Sequence, residues 1–288
     1  MASTDIVLKD EIQSAILFFL LMLITSAIAY YKGFYKLEKD EKVPITYSYG
    51  FFVFLIYAVT IFLIGPLVVR LFKNLMSNTN ILGFVFSINL ALNLFLILVL
   101  YLFCFRVKKD ITLSIIKRGQ IDKTTLKRDV ILGVLSWLIA FPLVSFFSSI
   151  FDILVYFIFK VTKVPNQLAI EFIKSSLKNP IFFVMALISV IVIAPIIEEF
   201  LFRGVLQNLF KKFMNRSLAI LATSVIFAFF HFAISQKLAN ITILGSLFIL
   251  GVFLSFLYEK QKSLISPIFL HATFNALSVL NIIFIKGV

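Results

Sequence analysis

Residues 194–204 read Ala194-Pro195-Ile196-Ile197-Glu198-Glu199-Phe200-Leu201-Phe202-Arg203-Gly204. Two adjacent carboxylates and an arginine interrupt a run that is otherwise aliphatic and aromatic. That run begins near residue 181 and is about as long as the ~20 residues that cross a bilayer as a helix. A charged side chain in the middle of such a helix costs about 2.5–3.5 kcal/mol on insertion scales. The segment therefore reads both as a membrane span and as a candidate site.

The rest of the chain agrees. Of its 288 residues 61% are hydrophobic and 14% charged, and Phe alone supplies 36. The mean hydropathy is +1.06. An ordinary soluble domain is about 45–50% apolar and about 25% charged, and a soluble globule of this size could not hide so much apolar surface. Soluble enzymes, nucleic-acid-binding modules and disordered tails are excluded as descriptions of the whole chain. Eight apolar stretches are expected to span, at about 14–31, 48–69, 81–105, 130–158, 181–203, 217–236, 240–258 and 264–285. They are continuous rather than alternating, which argues against a transmembrane barrel. The expected fold class is an all-α polytopic integral membrane bundle of about eight helices. The fourth stretch is long and holds Pro142, so a kink, a tilt or an interfacial end is expected there. Asp5, Asp10 and Glu11 outweigh Lys9 ahead of the first stretch, which favours a retained helix over a signal peptide.

The net charge is +13, and the cations sit between the apolar stretches. Of the 27 Lys and Arg, 17 fall in the links after the first, third, fifth and seventh stretches. By the positive-inside rule those links are cytoplasmic. Residues 106–128 carry the largest share, and their apolar spacing suggests a short helix on the inner leaflet. The partners expected are membrane lipids and a membrane-associated substrate, with no nucleic acid. Division is expected at residue 128, with helices one to three and the basic segment in 1–128 and the chemistry in 129–288, all within one integral domain. Phe-, Ile- and Lys-rich usage fits a bacterial plasma membrane. Cys104, the only cysteine, reads as a small buried hydrophobe.

Beside Glu198, Glu199 and Arg203 stand the only two histidines, His231 and His271, in the sixth and eighth stretches. Asn275 follows His271 by four residues and shares its helix face. Glu199 and Arg203 are i,i+4 with the acid first, the favourable order for an ion pair. Glu198 is turned about 100° from its neighbour and is free to face something else. At 1.5 Å per residue Glu198 and His231 lie about 20 Å from the basic links and His271 about 13 Å. Taken singly, an intramembrane His or Asn is more often interhelical glue than catalyst, and Asn89 and Asn93 are read so. Asp152 is read as interfacial. The joint occurrence of an acid pair, an arginine, two histidines and an amide on three late helices favours a site.

At these residues the chain resembles the CPBP family of CAAX proteases and bacteriocin-processing enzymes, also called the Abi family. Glu198-Glu199-x-x-x-Arg203 matches the first motif, Phe227-x-x-x-His231 the second, and His271-x-x-x-Asn275 after Ser266-Pro267 the third. The resemblance implies an intramembrane endopeptidase, with roles in peptide maturation or bacteriocin self-immunity among bacterial members. It implies Glu198 as base, His231, His271 and Asn275 as catalytic, and Glu199 and Arg203 as their support. The expected mechanism is a water deprotonated by Glu198 with His231, its attack on a peptide carbonyl, and donation to the oxyanion by His271 and Asn275. No cofactor is expected. The alternative is zinc held by Glu198, His231 and His271, although the His-Glu-x-x-His spacing of zinc peptidases is absent. Two other functions fit part of the pattern: a non-catalytic immunity or scaffold protein, and an ion-coupled transporter.

Overall fold

The computed structural model describes residues 2–73, 81–119, 122–161 and 168–284. These residues form helices α1 (Ala2–Tyr31), α2 (Tyr47–Phe72), α3 (Ile81–Val107), α4 (Lys109–Ile116), α5 (Lys123–Phe159), α6 (Leu168–Ser176), α7 (Pro180–Phe210), α8 (Arg216–Phe229), α9 (Ala239–Gln261) and α10 (Ile265–Phe284). They contain no β-strand beyond one isolated bridge, Lys117 to Ser263. Helix is what such sequences must form in lipid, because it satisfies every backbone group within the segment. Seven of the helices are long and apolar enough to cross a membrane: α1, α2, α3, α5, α7, α9 and α10. The chain is a polytopic integral membrane helical bundle.

The sixth apolar stretch departs from expectation. It forms a helix of 14 residues, Arg216–Phe229, about 21 Å long and short of a ~30 Å hydrocarbon core. The chain then turns through residues 230–238 into α9. Asn240 closes this turn: its amide donates to the Ala233 carbonyl at 2.8 Å, and its Oδ1 accepts from the Ala233 N–H at 3.2 Å. Those backbone groups would otherwise be unpaired away from the helix ladder. Among the described residues there are thus seven long spans, with α8 a shorter apolar helix of 14 residues, and His231 lies just past a helix end rather than within a span.

Two spans contain wide π turns, and two of those turns run directly into a proline. Val59–Ile64 precedes Gly65-Pro66, and Ile188–Ile193 precedes Ala194-Pro195. Proline lacks an N–H and its ring clashes with the carbonyl one turn back. Widening the preceding turn relieves the clash without breaking the span. In α7 a further π turn, Phe200–Leu206, follows the short α segment Ala194–Glu199. The acid pair is thereby held between two widened turns. Pro142 does not end α5, which runs unbroken over 37 residues from the Asp122 cap.

Helix α9 is the central one. Over half of its apolar window (56%) is buried, against at most 28% for any other span. Helices α5, α8 and α10 pack around it, and α1 lies along the outside of α5. Crossings are close where glycine permits. A Cβ on Gly133 of α5 would stand 2.5 Å from the Ser266 carbonyl of α10. Backbone cannot yield as a side-chain tip does, so Gly133→Ala is expected to cost about 1–3 kcal/mol. A fall in the melting temperature of the purified protein checks this.

The links that carry most of the cations meet at one end. Arg118 pairs with Glu259 at 3.3 Å and donates to the Glu41 carbonyl at 3.0 Å. Lys211 pairs with Glu259 at 2.9 Å and with Asp40, and Lys262 pairs with Glu38 at 2.9 Å and with Glu41. Backbone bonds Leu264 N–H to Ile116 O and Arg118 N–H to Lys262 O tie α4 to the α9–α10 turn. The short helix expected within residues 106–128 is α4, with Thr112 and Ile115 buried. Cys104 is buried and accepts from the Tyr49 hydroxyl. Asn93 donates to Asn89 at 3.2 Å, so these two amides satisfy each other along α3 instead of bridging helices.

Candidate active site

Glu199 and Arg203 are fully buried and form an ion pair at 2.8 Å. The guanidinium also donates to the Gly251 carbonyl of α9 at 3.2 Å and lies 4.2 Å over the Phe227 ring of α8. A buried charge needs this much company. The same Glu199 Oε1 stands 2.8 Å from His271 Nδ1. A carboxylate only accepts, so Nδ1 carries a proton and Nε2 of His271 is left to face the cavity. His231 is set in the same sense. Its Nδ1 lies 3.0 Å from the Phe227 carbonyl, which fixes the proton on that nitrogen. The Phe227 ring packs edge-on against both imidazoles, at centroid distances of 5.1 and 6.1 Å.

Glu198, offset by about 100° on the helix, faces the cavity instead. Its Oε2 lies 3.8 Å from His231 Nε2 and 3.9 Å from His271 Nε2. These separations are too long for direct hydrogen bonds and suit a bridging water. That oxygen is buried and has no hydrogen-bond partner, whereas the Glu198 side chain as a whole is 26% exposed.

A cavity of about 370 Å³ opens on this carboxylate, and Glu198, His231, His271 and Asn275 all line it. The six residues singled out in the sequence thus come together: four on the cavity wall and Glu199–Arg203 directly behind. Asn275 has a further task. Its Nδ2 donates to the Val190 carbonyl at 2.9 Å, inside the π turn that precedes Pro195.

Sequence reasoning missed the hydroxyl wall of the cavity, Ser145 and Ser148 on α5 and Thr242 and Ser246 on α9. Their i,i+3 and i,i+4 spacing was the available signal, since it puts each pair on one helix face. Asp152, read as interfacial, is half-buried and accepts from the Thr242 hydroxyl at 2.7 Å. Two imidazoles and a carboxylate are an acceptable zinc donor set in chemistry. Among the described residues, however, no three His, Cys, Asp or Glu side chains are arranged to hold a metal ion.

Comparison with known proteins falls on this same region. The family described as type II CAAX prenyl endopeptidase Rce1-like matches residues 180–277. An uncharacterized 24.3 kDa protein of Escherichia coli is 29% identical over 99 residues, 34% of this chain and 44% of that protein. The chain thus spans less than half the length of that relative. No solved structure matches. The matched segment runs from the start of α7 to just past Asn275 and holds all three motifs, so over residues 180–277 this chain is similar to the type II CAAX prenyl endopeptidase Rce1-like family.

Proposed function

We propose that the protein is an intramembrane endopeptidase that hydrolyses a peptide bond of a membrane-associated peptide or protein. The observation that carries the reading is the unpartnered Glu198 Oε2, faced by two imidazole Nε2 atoms at 3.8 and 3.9 Å. A water between them would give one proton to Glu198 Oε2 and point its other hydrogen at His231 Nε2, while its oxygen accepts from Nε2–H of a doubly protonated His271. Its oxygen bonds to the scissile carbonyl carbon, and the carbonyl oxygen becomes an oxyanion. His271, protonated on both nitrogens with its Nδ1–H held by Glu199, donates from Nε2 to that oxyanion together with the Asn275 amide. Glu198 then returns the proton to the leaving nitrogen as the C–N bond breaks. Each of these steps uses only the chain's own residues and the water, and chelators are expected to leave cleavage unchanged.

The cavity is lined by hydroxyls from two helices and by apolar side chains such as Leu250 and Phe274. An extended segment of a membrane peptide, with a polar backbone and apolar side chains, suits such walls. The basic links face the cytoplasm in this reading, in the plasma membrane of a bacterium. Peptide maturation or bacteriocin self-immunity is the biological setting proposed.

The test is a comparison of membrane peptides and proteins in cells carrying the wild type or the triple variant Glu198→Ala, His231→Ala, His271→Ala. A substrate shortened only beside the wild type is expected. A phenotype that survives in the triple variant, with no processed species lost, would assign the protein a scaffold or immunity role instead.

A further inference from the structure

At the opposite pole from the hydroxyl-lined cavity, the basic end holds a second one of about 530 Å³. Six cations line it: Lys32 after α1, Lys117 and Arg118 after α4, Arg128 on α5, Lys260 at the end of α9, and Lys262. Glu38 is the acid among its lining residues. The partners of these cations show where the charge is left over. Lys117 is matched by buried Asp129, Arg118 by Glu259, and Lys262 by Glu38 and Glu41. Glu41 first and then Glu38 hold the Lys262 ammonium above its ordinary value, so it stays charged. Lys260 donates to two backbone carbonyls, Gly33 O and Lys36 O, which carry no full charge. Arg128 has a side chain 60% exposed and reaches only the far oxygen of Asp129, at 3.7 Å. Lys32 is exposed.

A second observation points the same way. The Arg118 side chain is 6% exposed, yet its Nε is buried without a hydrogen-bond partner. A buried donor left unmade is costly, and here it belongs to a side chain that lines the cavity. The cavity also sits where the spans end, beside the last turns of α1 and α9 and the first turns of α5. Lys and Arg converging from four segments suit a compact anion with several acceptor oxygens.

We propose that this basic-end cavity binds a phosphate group, as an anionic phospholipid headgroup or as free phosphate. The assignment does not depend on the endopeptidase reading.

The experiment is a thermal melt of the purified 288-residue chain in a neutral detergent. The probes are short-chain phosphatidylglycerol, inorganic phosphate, and chloride at matched ionic strength. A rise in melting temperature over chloride is expected with at least one phosphate probe. A response to phosphatidylglycerol alone identifies a lipid headgroup, and a response to inorganic phosphate identifies the free anion as sufficient. Lys32→Gln/Arg128→Gln is expected to raise the half-saturating concentration at least tenfold. Lys108→Gln, an exposed cation outside the lining, is expected to leave it unchanged. Should the double variant fail to fold, Lys32→Gln alone carries the comparison, with a threefold or larger weakening expected. No rise over chloride with either probe, or equal weakening by Lys108→Gln, overturns the proposal.

Discussion

Glu198→Gln is expected to lower the rate of substrate cleavage by about 10³-fold or more while leaving the fold intact. The amide has the shape of the acid but cannot take a proton from water. General acid–base groups contribute about 10²–10⁴-fold, and here one carboxylate performs both transfers. A 10³-fold loss corresponds to about 4 kcal/mol of barrier. Stability is expected to move in the opposite direction. The Glu198 Oε2 is buried and unpartnered, so removing its charge relieves a cost and the melting temperature should hold or rise. Cleavage by purified wild type and variant in the same vesicles, with a melt of each, measures both. An unimpaired Glu198→Gln would remove the carboxylate from the chemistry.

The second large effect concerns the pair behind the cavity. Glu199→Leu leaves the fully buried Arg203 without its carboxylate, and breaking a buried pair from one side costs about 3–5 kcal/mol. Replacing both partners by apolar residues of similar volume is often neutral or stabilising. Glu199→Leu/Arg203→Met is therefore expected to recover most of the stability lost in the single variant. It should not recover cleavage. His271 Nδ1 would have lost its acceptor at 2.8 Å, and with it the carboxylate that aims the ring's Nε2 at the cavity and supports its protonated form. A loss of at least about 10²-fold is expected from this alone. Recovery of both stability and cleavage would show that Glu199 serves only to neutralise Arg203.

Much of this arrangement was legible in the sequence, for physical reasons. Charges inside apolar runs are costly, so Glu198, Glu199 and Arg203 announce themselves, and the helical period alone separates the two acids into different roles. The ion pair and the separate aim of Glu198 follow from spacing. The shortness of α8 does not. A hydropathy window averages across residues 217–236 and cannot see that Asn240, four residues beyond it, clamps the Ala233 backbone into a turn. The double role of Glu199 was hidden because His271 is 72 residues away. The ties at the basic end were hidden for the same reason: Glu38 meets Lys262 across more than two hundred residues. The π turns leave a trace in Pro66 and Pro195, but proline alone does not distinguish a widened turn from a kink. Asn275 reads as a cavity residue from its spacing to His271. That it also holds the Val190 carbonyl needed the structure.

The most direct measurement is an experimental density map of the protein in a lipid disc, at a resolution that shows ordered solvent. The account predicts a water within about 3.2 Å of Glu198 Oε2 and of both imidazole Nε2 atoms. A map in which any of those three side chains turns toward lipid, or in which the imidazoles point away from Glu198, would contradict it.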